Sequence, residues 1–115
     1  MRVLEFSQIY LKRLVEITQS IDLQQVENFF TVCENARKKN KNIFFAGNGG
    51  SAATATHFAS DFLGTNIKKK LKPPFRTTSL TDNNSVITGF GNDFGYDLIF
   101  KNQLISLFCE GDVLV

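Results

Sequence analysis

At 115 residues, 43% hydrophobic and 21% charged, the chain has the composition of a single globular domain with a modest core. A formal charge of +2 is too small to argue for nucleic acid, and no run approaches the roughly 18 apolar residues of a membrane span. Cys33 and Cys109 lie far apart, form no CxxC pair, suggest no disulfide framework and fit a reducing cytoplasm.

The first residues, Met1–Glu5, show no basic segment leading into an apolar one, so no signal peptide is indicated. Over residues 4–19, Leu4, Leu11, Leu14 and Val15 fall on one face at helical spacing and predict a helix. Asp22 is placed to cap a second helix over 23–39, which is expected to turn Leu23, Val26, Phe29, Phe30, Cys33 and Ala36 inward. Residues 1–41 thus read as an antiparallel helical hairpin. Its apolar faces exceed what a short sheet can cover, and they predict self-association.

Residues 42–46 are short, apolar and flanked by turn formers, as in a strand buried on both faces. The cluster Gly47-Asn48-Gly49-Gly50 follows, then a helix from Ser51, which is expected at or next to the N-cap, to Leu63, closed by Gly64. Lys68, Lys69, Lys70, Lys72 and Arg76 read as a solvated basic loop in preference to a phosphate or RNA contact. A second strand is predicted at 76–80, a loop at 81–85 and a short helix at 86–90. Residues 91–95 read as a polar, glycine-bounded loop, 96–108 as a helix, and 113–115 as the start of a third strand. Strands alternating with helices imply an α/β fold with a parallel sheet over residues 42–115.

The most informative stretch is the glycine cluster. Where an apolar strand meets a helix through glycines, backbone N–H groups converge and the positive end of the helix dipole faces the same point. Such a corner suits a phosphate. His57 and Asp61, four residues apart, project from one face of the helix as candidate proton-transfer or metal-ligating groups. Gly47-Asn48-Gly49-Gly50-Ser51-Ala52 fits the loose dinucleotide pattern GxGxxA, but the acidic residue expected about 20 positions on is replaced by lysines. No Gly-Lys-Ser/Thr follows, which removes the P-loop. A tight turn with no ligand remains open, as do a locally satisfied His57, a solvated Asp61 and an ordinary Asn-Asp turn at 92–93.

Four motifs in order then carry a resemblance: Gly47-Asn48-Gly49-Gly50-Ser51, His57-Phe58-Ala59, Gly91-Asn92-Asp93-Phe94-Gly95 and Glu110-Gly111-Asp112-Val113-Leu114. Together they resemble the sugar isomerase (SIS) domain and, more narrowly, the phosphoheptose isomerase family. The resemblance implies a helical hairpin used in tetramer assembly, followed by the first part of a doubly wound parallel sheet. It implies conversion of sedoheptulose 7-phosphate to D-glycero-D-manno-heptose 7-phosphate, a step towards bacterial surface heptose. It also implies substrate contacts from Asn48, Gly49, Gly50, Ser51, Asn92 and Asp93, and catalytic and zinc-binding roles at His57 and Asp61.

Asp61 departs from the family, which carries a glutamate there. The carboxylate is one methylene shorter and sits roughly 1.5 Å back. A His–Asp pair is also an incomplete zinc site, because a catalytic zinc takes three protein ligands. In the family's order a phosphate-gripping loop and a later glutamine and histidine follow the motifs present here. The expectation is therefore an isomerase-like fragment, inactive as it stands. The alternative is a non-catalytic SIS module that binds a phosphosugar or a protein partner.

Overall fold

A computed structural model describes residues 2–115. The chain divides into two compact units, residues up to Phe30 and Thr31–Val115.

The first unit holds helix α1 (Val3–Gln19) and the opening turns of α2 (Leu23–Lys38). Asp22 caps α2 as expected, its Oδ1 accepting the Gln24 N–H at 2.9 Å. No residue of α1 is buried. The expected inward face of α2 is only partly realised. Leu23, Val26 and Phe30 are exposed, and burial begins at Cys33 and Ala36. Helical spacing identifies an apolar face, but whether it is covered depends on what reaches it, and only the last turns of α2 contribute to the core.

The second unit is a three-stranded parallel sheet in the order β2-β1-β3. Strand β1 (Asn42–Phe45) is central, flanked by β2 (Arg76–Ser79) and β3 (Val113–Leu114). Ile43 pairs with Thr77 on one side and Val113 on the other. Ile43, Phe44 and Phe45 are all buried, as a strand covered on both faces requires. Phe44 and Phe45 point to opposite faces. Phe45 meets Phe58 and Phe62 of helix α3 (Gly50–Lys69) at 5.7 and 5.8 Å, and Phe44 meets Phe108 at 6.0 Å. Ala55 and Ala59 let α3 approach the sheet closely. Asp112 ties the entry of β3 to that of β1, accepting the N–H of Asn42 at 2.8 Å and of Cys109 at 2.9 Å.

Two elements run longer than expected. Helix α3 passes through Gly64 and runs to Lys69, capped by Lys70 in the left-handed conformation (φ 50°). An internal glycine costs only about 1 kcal/mol, and Asn66, beyond it, clamps the main chain of Phe75 through two hydrogen bonds of 2.8 and 2.7 Å. Lys68 and Lys69 therefore lie in the last helical turn, where cations suit the dipole, rather than in a loop. Helix α4 spans Asn84–Phe94 and absorbs most of the expected loop at 91–95. Asn83 caps it by accepting from the Val86 N–H at 3.1 Å, and Phe90 stacks edge-on against Phe94 one turn on. A 3-10 turn at Tyr96–Leu98 leads into α5 (Ile99–Leu107). No helix among the described residues is long and apolar enough to cross a membrane.

Candidate functional site

Chain order and strand order diverge at β1: the chain passes through α3 to β2 on one side, and β3 later arrives on the other. In an open parallel sheet this reversal leaves a crevice beyond the carboxyl end of the strand, where ligands bind. The glycine corner, residues 47–50, sits at that end.

Its glycines answer two separate demands. A Cβ on Gly47 would lie 2.5 Å from the carbonyl carbon and oxygen of Ser51, so no side chain fits where β1 meets α3. Gly49, the N-cap, has φ 56°. Helix α3 starts at Gly50, so Ser51 is its second residue, one further from the cap than expected. The turn satisfies part of its own donor set: Ser51 N–H donates to Asn48 O at 3.0 Å, and Ala52 and Ala53 to Gly49 O at 3.1 and 3.3 Å. The N–H groups of Gly49 and Gly50 take no partner among the described residues. With the dipole of a 20-residue helix behind them, they have the geometry that suits an anion.

Asn48 projects from this corner, and its Oδ1 accepts the Tyr96 hydroxyl at 2.7 Å. Along α3, Thr56 joins a hydroxyl cluster at the carboxyl end of β2. Its Oγ1 donates to Asp82 Oδ1 at 2.9 Å and lies 3.0 Å from Thr81 Oγ1, which is 2.6 Å from Ser79 Oγ. His57 opens with Thr56, Ser60 and Thr81 onto a shallow groove of about 490 Å³. Its Nε2 lies 3.3 Å from Asp61 Oδ2, as the four-residue spacing requires. Both side chains are largely solvated, 77% and 69% exposed, so the pair is weakly held and water reaches it freely.

Asn92 and Asp93 occupy the last turn of α4, not a loop, with Asn92 Nδ2 donating to Asp93 Oδ1 at 3.0 Å. Among the described residues no hydrogen bond joins them to Asn48, Ser51, His57 or Asp61. No three His, Cys, Asp or Glu side chains among the described residues are grouped to hold one metal ion. His57 and Asp61 supply two donors, which does not fit a catalytic zinc. Tyr96 and the Thr56–Ser79–Thr81–Asp82 cluster lie outside the residues that the sequence motifs single out. The run of hydroxyl residues within 77–81 is a visible signal for the cluster, whereas Tyr96 has none beyond following the Gly91–Gly95 motif.

No family model matches the chain. A phosphoheptose isomerase of Nitratidesulfovibrio vulgaris (strain Hildenborough) is 37% identical over 117 residues, covering 96% of this chain and 55% of the relative. One of Akkermansia muciniphila is 38% identical over 95 residues, covering 82% and 47%. The solved phosphoheptose isomerase of Francisella tularensis superposes with a TM-score of 0.88 at 25% identity, covering 99% of this chain and 60% of that one. For that of Neisseria gonorrhoeae the TM-score is 0.81 at 29% identity, covering 98% and 59%. The chain spans about half the length of the curated relatives it matches.

Proposed function

We propose a function from the premise that the chain is a SIS-type relative of the phosphoheptose isomerases, matching about half of their length: its glycine corner binds a phosphorylated sugar, with sedoheptulose 7-phosphate as the first candidate. The observation that carries this reading is the corner itself, two glycine N–H donors without partners, at the start of a long helix and at the reversal of strand order. Asn48 and Ser51 add side-chain donors there.

Aldose–ketose isomerisation moves a proton between adjacent carbons through an enediol and needs a base near both. Asp61 is the candidate base and His57 the group that orients it or relays the proton, at 3.3 Å. Asn92 and Asp93 are candidate second contacts to the sugar. The exposure of His57 and Asp61 leaves water in place, where electrostatic stabilisation of the enediolate is weak. This chain alone is therefore a binder that does not turn substrate over. The solvated pair, with aspartate in the glutamate's place, also favours the second reading, a non-catalytic phosphosugar-binding module. Titrating the chain with sedoheptulose 7-phosphate should move the backbone amide resonances of Gly49 and Gly50, and incubation should yield no aldose. Unmoved resonances would overturn the corner as a site. Turnover that disappears in His57→Ala or Asp61→Ala would overturn the binding-only reading.

The chain is further proposed to act as a homo-oligomer. Val3, Leu4, Leu11 and Val15 of α1 and Leu23 of α2 are each more than half exposed, an apolar surface that a second copy can cover.

A further inference from the structure

Asn48 carries a carboxamide, which offers an acceptor at one end and two donors at the other. A phosphate or sugar oxyanion accepts hydrogen bonds, so the same side chain helps or hinders such a ligand according to which end it presents. Among the described residues, one side-chain contact settles the matter. The Tyr96 hydroxyl donates to Asn48 Oδ1 at 2.7 Å, across 48 residues of chain. With Oδ1 engaged, both Nδ2 hydrogens remain without a partner in the described residues.

Tyr96 is itself well placed to hold a neighbour. Gly95, with φ 102°, ends α4 and reverses the chain; a Cβ there would come within 2.8 Å of Asp97 Oδ1. The 3-10 turn that follows closes with Leu98 N–H on Gly95 O at 3.1 Å. It runs straight into Ile99, which is only 3% exposed, and Gln103, whose Nε2 donates to Leu80 O at 3.0 Å. The chain that follows Tyr96 is thus tied into the core, while the exposed Tyr96 ring reaches the glycine corner.

We propose that Tyr96 is a positioning residue for the phosphosugar site: it holds the Asn48 carboxamide with Oδ1 turned away and Nδ2 offered to an oxygen of the ligand. This inference rests on the glycine corner binding a phosphorylated sugar, and it adds a residue outside the four motifs. Tyr96 acts through Asn48 and does not itself touch the ligand.

The test is a double-mutant cycle on the full chain, with calorimetric titration of sedoheptulose 7-phosphate and thermal unfolding of every variant. Tyr96→Phe removes the hydroxyl alone. It should weaken binding about three- to tenfold, the range for one net hydrogen bond, lower the thermal midpoint by no more than about a few degrees, and shift the Asn48 side-chain amide resonances. In an Asn48→Ala background, Tyr96→Phe should have no further effect on affinity. Unchanged affinity in Tyr96→Phe overturns the proposal, as does an equal loss in both backgrounds, which would place Tyr96 in direct contact with the ligand. An unmoved Asn48 amide signal would show that the hydrogen bond does not hold the carboxamide. If the parent chain binds no phosphosugar, the reading of the corner fails first and the role of Tyr96 falls with it; the amide signal still reports separately on the bond.

Discussion

Replacing Gly47 by alanine tests the corner where its geometry is most demanding. The added Cβ would lie 2.5 Å from both the carbonyl carbon and the oxygen of Ser51, and 2.9 Å from its Cβ, whereas ordinary contact begins at 3.4 Å. Strand β1 and the first turn of α3 must therefore separate by about 0.9 Å, the difference between those two distances. The obstacle is main chain, so no rotamer change relieves it. Overpacking of this kind costs about 1–3 kcal/mol, against a gain of about 0.4–1 kcal/mol from the reduced freedom of the unfolded chain. Taking the middle of each range, the expected net loss is roughly 1.3 kcal/mol. Gly64→Ala provides the control on the same helix: a Cβ there meets nothing within 4 Å, so only the gain remains, about 0.5–1 kcal/mol of added stability. Urea unfolding followed by far-ultraviolet circular dichroism measures both. A Gly47→Ala protein as stable as its parent would refute the close approach of strand and helix on which the site depends.

Burial alone would raise the Asp112 carboxyl, but the N–H groups of Cys109 and Asn42, the Asn42 side chain and the Lys41 charge together hold it below the ordinary carboxylate range. A depressed value in the folded state means that its stabilisation is complete above the unfolded-state value and is lost as pH falls through the folded one. Asp112→Asn should accordingly cost about 1–3 kcal/mol near neutrality and flatten the acid limb of the stability profile; an unaltered limb in a pH series of urea midpoints would contradict this. Sedimentation equilibrium should show self-association of the parent, reversed by Leu4→Asp with Leu11→Asp on α1, and a monomeric parent would count against the proposed oligomer.

Much of this architecture could be read from the residues. The corner was legible because a short apolar run, a glycine cluster and an amphipathic pattern change period within ten residues. Asp22 as a cap and Ile43–Phe45 as a fully buried strand followed from equally local chemistry. What escaped was decided by distance or by context. Gly64 breaks a pattern locally, but the clamp of Asn66 on Phe75 extends α3 past it. Residues 91–94 look like a loop until the Asn83 cap and the Phe90–Phe94 contact are both counted. Leu23, Val26 and Phe30 show the periodicity of a core face and remain exposed, because a pattern does not reveal what will cover it. Tyr96 could not be connected to Asn48, since the pairing exists only after α4 and the turn at Gly95 have brought the two together.

The central position of β1 also sets a schedule for synthesis on the ribosome. Asn42 pairs with Arg76 and is bonded to Asp112, 70 residues downstream. At an elongation rate of about 5–20 residues per second, Ile43, Phe44 and Phe45 leave the exit tunnel about 4–14 s before the strand that completes their sheet. During that interval the most apolar strand of the chain has an unpaired edge and no finished core to enter, which is the situation in which nascent strands pair wrongly or recruit a holding chaperone.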